Sequence, residues 1–172
     1  MRPSLPAACA VLFAACAQPP PAPLRAAVRS FAIELPVPVA AAAPLFGPVR
    51  EREWAPQWAP LFVQPAAPAQ EEGAVFTTSD AHGESLWVLT DYDPDAGRIG
   101  YVALQPGVVV AQLRIGLRPA GDSACVATVT SRRTALSPAG NELVDRFAEH
   151  FAQQGAHWQQ AIAGALQRAQ PR

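Results

Sequence analysis

The chain has 172 residues, half of them hydrophobic, with a formal net charge of −1 and all of its positive side chains arginine. That length suits one domain of ordinary size, and the hydrophobic share supplies a real core. The near-neutral charge excludes the basic excess that nucleic-acid binding needs.

Residues 1–27 differ in character from the rest of the chain. Arg2 precedes an apolar stretch, Leu5 to Ala15, too short to span a bilayer as a helix, and a Pro-rich run comes next. Two readings stand side by side. One is a secretory or lipoprotein signal, with Cys16 in "FAAC" as the lipidated cysteine and "AQPPPAPLRAA" as a tether. The product would then be periplasmic or membrane-anchored, touching the membrane only through that anchor. Phe13 and Pro6 depart from the usual signal pattern. The other reading is an untranslated extension, with translation starting near Val28 and a cytoplasmic product. Either way the domain spans residues 28–168.

"RSFAIELPV" alternates Phe31, Ile33 and Leu35 and predicts a first strand, ended by Pro36 and Pro38. "VAAAAPLFG" predicts a short helix stopping at Gly47. "VREREWA" predicts another helical turn, closed by Pro56. From about residue 61 the pattern is β. "LFVQP", "GAVFTTS", "ESLWVLTDY", "RIGYVAL", "VVVAQLRIGLR" and "SACVATVTSRRT" are six strands joined by short turns such as "DAHG" and "DPDAG". In the fifth of these, Val109, Ala111, Leu113, Ile115 and Leu117 share one face, and Gln112, Arg114 and Arg118 the other. That predicts an antiparallel meander with one buried and one wet side.

The last segment changes period. Ser137 and Pro138 predict a helix start, with the Ser137 hydroxyl as cap. Leu143, Phe147, Phe151, Trp158 and Ile162 then form one stripe, with Glu142, Asp145, Arg146, Glu149, Gln153 and Gln160 opposite. Gln154 falls inside the apolar stripe. Gly155 lies mid-helix, where it costs about 1 kcal/mol against Ala and signals close backbone approach or open space.

This order of elements, with "LFGPVREREWAPQWAPLF", "LWVLTDYDPDAGRIGYVALQPGVVVAQLRIGLRP" and "TALSPAGNELV", resembles the START-like, polyketide-cyclase-like (SRPBCC) superfamily, over about residues 28–168. The resemblance implies an α+β helix-grip fold: a curved antiparallel sheet of about seven strands wrapped around a long C-terminal helix, with two short helices after the first strand. It also implies a cavity between sheet and helix for a hydrophobic small molecule or lipid. It implies no cofactor and no shared catalytic motif.

The chemistry-bearing residues are few. Cys9, Cys16 and Cys125 make no disulfide framework and have no metal-ligand spacing. Cys125, among apolar neighbours in "SACVATV", reads as a small core residue. His82 with Asp80 and Glu84 reads as an ordinary polar turn. His150 and His157 flank the helix stripe, two turns apart, too far to share one metal without other ligands. No nucleophile elbow, zincin, phosphate-loop or dinucleotide motif is present. The stronger signal is aromatic. Trp54, Trp58, Trp87, Tyr101, Phe151 and Trp158 are candidates to line a cavity, with Gln154, Tyr101 or Arg114 as an orienting polar group.

The leading expectation is therefore a non-enzymatic binding or carrier domain for a hydrophobic small molecule or lipid. A cyclase or dehydratase acting on a polyketide-like or aromatic substrate is the alternative. Its general acid or base would come from His150, His157 or Tyr101. A protein-interaction module docking a partner on the outer sheet face is the third.

Overall fold

A computed structural model describes residues 23–169. The readings made for residues 1–22, including Cys16 as a lipidation site, lie outside the described residues. Alternation of apolar side chains builds seven strands: β1 (Ala26–Leu35), β2 (Leu61–Gln64), β3 (Val75–Asp80), β4 (Gly83–Asp93), β5 (Arg98–Gln105), β6 (Val109–Pro119) and β7 (Cys125–Ala135). They form one antiparallel sheet in the order β1-β7-β6-β5-β4-β3-β2. The first strand begins at Ala26, two residues before Val28, because Ala26 already pairs with Thr134 on β7.

Between β1 and β2 the chain makes helix α1 (Val39–Ala42), a 3-10 turn at Ala43–Phe46 and a second 3-10 turn at Glu51–Glu53. These short pieces close one end of the sheet with Ala42, Ala43, Leu45 and Phe46, all fully buried. The β4–β5 hairpin turns at Gly97, whose φ of +68° is a left-handed value that favours glycine. A bulge in β4 between Leu89 and Asp91 shifts the register against β5 and changes which face later residues take.

The C-terminal helix has a 3-10 turn within it. Helix α2 (Asn141–His150) passes through that turn at Phe151–Gln153 into α3 (Gln154–Ala169). Ser137 stands at the start with Pro138 after it, but its hydroxyl makes no capping bond. Its backbone carbonyl instead accepts from Gly140 N, so the start is set by backbone geometry rather than by the expected side-chain cap. Helix α2 packs on β1 and β7, and α3 on β1. Phe147, Phe151 and Ile162 of the sequence stripe are buried, joined by Val144 and Ala165. Gly155 is a close approach: a Cβ there would meet the Phe31 ring at 3.1 Å.

The sheet's concave face and the helix enclose the core. Ile33, Leu35, Ile99, Ile115, Cys125, Ala127 and Val129 are at most 4% exposed. Cys125 is thus the inert core residue that its apolar neighbours indicate. This is the helix-grip fold: a curved seven-stranded antiparallel sheet gripping a long C-terminal helix.

Candidate functional site

Two groups of aromatic rings face the interior. On the sheet side, Trp87 stands 5.4 Å from Trp58, 6.0 Å from Phe76 and 6.0 Å from Tyr101, centroid to centroid. On the helix side, Trp158 stands 5.0 Å from Trp54 and 5.3 Å from Phe31, and Phe31 is 5.1 Å from Phe151. Between them lies a pocket of about 180 Å³. Its walls take Trp58, Trp87 and Tyr101 from the first group and Phe151 and Trp158 from the second. Ala111 and Leu113 of β6 and Ser131 and Arg133 of β7 form its sheet wall, and Glu51 and Gln154 also border it.

The tryptophans near Glu51 are positioned by their own polar atoms. Trp54 Nε1 donates to Leu45 O at 2.7 Å, and Trp58 Nε1 donates to Pro48 O at 2.8 Å. Each indole staples the Glu51–Glu53 turn onto the preceding segment while its ring stays inside. Trp87 Nε1 donates to Thr78 Oγ1 across the β3–β4 pair at 2.9 Å. Six of the seven residues that the sequence marks for a cavity border this pocket. Trp54 is the exception: it is buried and borders the adjoining hollow of about 260 Å³ with Trp58, Trp87 and Trp158. Gln154 reaches the rim but is itself exposed, because the 3-10 turn rotates it out of the stripe.

Arg114 does not serve the interior. It lies on the outer sheet face, beside a shallow depression of about 570 Å³. That depression is larger, but strand alternation points the side chains of Ile99, Tyr101, Leu113 and Ile115 away from it, and its floor is the backbone around Gly100 and Gly116. The interior pocket, ringed by aromatic side chains, is the better-built site.

The polar groups also sort differently from the expectation. Tyr101 is buried and donates its hydroxyl to Phe46 O at 2.7 Å. Burial holds its pKa well above the ordinary value, with Glu51 and Tyr92 adding to the effect. Its proton is committed, so it is not a base. His150 and His157 are exposed, and His157 reaches only the adjoining hollow. His82 is exposed, and its backbone N–H donates to Asp80 Oδ1 at 2.7 Å, the local bond of a polar turn.

Two ionisable residues that sequence reasoning passed over border the site. Glu51 is half-buried, and burial alone pushes its carboxyl up to about 8. Arg133 is half-buried with Nε wholly enclosed. The β7 alternation marks Arg133: Cys125, Ala127, Val129 and Ser131 all face inward, and Arg133 is next in that row. Glu51 sits in a 3-10 turn within a charged cluster, where no periodicity marks it. Among the described residues, no three His, Cys, Asp or Glu side chains gather to hold a metal, and no helix is long and apolar enough to cross a membrane.

Solved structures share this architecture. Norcoclaurine synthase from Thalictrum flavum, in complex with dopamine and hydroxybenzaldehyde, superposes with a TM-score of 0.63 at 10% identity, covering 87% of this chain and 91% of that one. A Thermobifida fusca protein solved by NMR gives 0.60 at 19% identity, covering 81% and 94%. Ara h 8.0201 gives 0.56 at 18% identity, covering 82% and 99%. These likenesses, all at 19% identity or below, show a shared helix-grip fold. No family model matches the chain, and no curated protein matches it.

Proposed function

We propose that this chain binds a small aromatic molecule in the pocket between sheet and C-terminal helix. One observation carries the reading. Trp58, Trp87, Ala111, Leu113 and Trp158 point inward yet remain only half-buried, because each borders open space on one side. An apolar cavity of about 150 Å³ accepts benzene, whereas drug-sized ligands occupy about 300–1,000 Å³. A volume of about 180 Å³ therefore suits one ring with a short substituent. A lipid chain or a steroid would need the adjoining 260 Å³ hollow as well. That norcoclaurine synthase holds dopamine and hydroxybenzaldehyde, two one-ring compounds, within a similar fold supports this size class.

Titrating a neutral one-ring probe, cinnamamide, while following tryptophan fluorescence tests the reading. Saturable binding is expected, and Trp158→Ala should weaken it far more than the exposed change Glu149→Ala. Equal effects of the two changes, or no binding by the wild-type protein, would remove the pocket assignment.

A second reading, an enzyme on an aromatic carbonyl compound, is favoured by Glu51 alone. A carboxyl with a pKa of about 8 inside an aromatic pocket is poised to exchange a proton near neutral pH. Deuterium exchange at the α-carbon of phenylacetone, followed by NMR, checks it. Exchange above the buffer rate that is lost in Glu51→Gln supports catalysis; exchange at the buffer rate leaves a binder.

A further inference from the structure

The ligand's chemical class can be narrowed further, given the binding reading above. Two arginines among the described residues are half-buried, Arg50 and Arg133. Arg50 is satisfied: its Nε and Nη2 reach the two carboxylate oxygens of Glu53 at 2.7 and 2.9 Å. Arg133 is not. Its Nε is buried with no hydrogen-bond partner, and no carboxylate of a described residue lies within 4.0 Å of its guanidinium.

What surrounds Arg133 explains how it is held and what it lacks. Its guanidinium carbon sits 4.7 Å from the centre of the Phe147 ring. A ring face supports the flat face of the cation but gives its N–H edge nothing to donate to. The side chain borders both the 180 Å³ pocket and a smaller hollow of about 130 Å³. The polar groups around these two spaces are Glu51 from the 3-10 turn, Thr78 and Asp80 from β3, Ser85 from β4, Gln105 from β5 and Ser131 from β7, with His82 and Gln154 at the rims. Asp80 acts on Arg133 only from beyond ion-pair distance, and burial works against the charged form. Glu51 is held mostly neutral at pH 7 by burial. The aromatic pocket thus carries one fixed positive charge with no carboxylate at ion-pair distance.

We propose that the ligand is a one-ring aromatic acid whose carboxylate is received by the two Nη groups of Arg133, which unlike Nε are not sealed in, while its ring lies against Trp87, Phe151 and Trp158. Arginine presents a planar edge that matches a carboxylate with paired hydrogen bonds, and such charge-assisted bonds are stronger than neutral ones. The head group is thereby oriented toward β7 and the ring toward the helix.

The test is calorimetric titration of trans-cinnamate and of cinnamamide, equal in shape and different in charge, into the wild-type chain, Arg133→Met and Arg133→Lys. In the wild type, cinnamate should bind at least tenfold tighter than the amide. The ratio should fall to within about twofold in Arg133→Met and be partly kept in Arg133→Lys, in line with the strength of hydrogen bonds to charged groups. An amide that binds as tightly as the acid in the wild type overturns the proposal while leaving the binding reading in place. A preference that survives in Arg133→Met also overturns it. If neither compound binds, the binding reading fails and the proposal with it. Should Arg133→Met fail to fold, the wild-type ratio decides.

Discussion

The two ends of the concave face are built from the same strands and end differently. At one end Ile33, Leu35, Ile99, Ile115, Leu117, Ala127 and Val129 meet Leu45 and Phe46, and every one of them is at most 7% exposed. At the other end, two to four residues along those strands, the inward positions are Ala111, Leu113, Ser131 and Arg133, and around them lies the pocket. The first end is sealed by the 3-10 turn after α1, whose Leu45 and Phe46 are fully buried. At the second, small and polar side chains on β6 and β7 leave the space unfilled. The site is the part of the concave face that the sequence declines to fill.

Substitutions can break that comparison. The largest effect should come from Phe46→Ala at the sealed end, a loss of about 3–5 kcal/mol in chemical denaturation, as for other buried aromatic truncations. A loss below about 1 kcal/mol would mean that this end is not packed as described.

Enlarging one alanine at each end sharpens the contrast. Ala127 is fully buried, and Ala127→Leu should cost about 1–3 kcal/mol by overpacking. Ala111 borders the pocket, so Ala111→Leu should cost less than about 1 kcal/mol, because the added atoms enter open space. Equal costs would erase the distinction.

The pocket end should also impose a pH dependence that the sealed end lacks. The Glu51 carboxyl titrates at about 8 when folded, against an ordinary 4.5. Between those values the folded chain holds a proton that the unfolded chain has released. Stability from this group is therefore greatest below about pH 4.5 and is lost as pH rises toward 8, then stays flat. The slope is bounded by about 1.4 kcal/mol per pH unit, and solvent access at a half-buried carboxyl reduces it. Denaturation midpoints of the wild type against Glu51→Gln across pH 5–8 measure it; parallel curves would show that Glu51 ionises freely. The smallest effect is at Cys125, buried at the sealed end with its thiol pKa raised by burial. It should react with a thiol reagent far more slowly in the native chain than in urea.

The fold was legible because its signals are periodic. Alternation and one short apolar run located the seven strands, Gly and Pro placed the turns, and the Leu143 to Ile162 stripe located the helical segment. The candidate site was legible only in part. Large aromatic residues stand out by type, so Trp58, Trp87 and Trp158 were recognisable. Their being half-exposed around a space depends on what faces them across the fold. Arg114 and Arg133 sit on neighbouring strands of one sheet, and only the inward row through Ser131 separates them. The Glu51 pKa has no local signature at all, since it comes from burial in the assembled fold.

Whether the open end is a binding site is tested most directly by calorimetric titration of cinnamamide into the wild-type chain and Ala111→Leu. The wild type should bind one equivalent. Ala111→Leu should bind at least tenfold more weakly while unfolding at nearly the same denaturant concentration, since the leucine occupies the ligand's place at little cost to stability. Equal affinity in the two chains would contradict the account, because a ligand unaffected by filling the pocket does not sit in it.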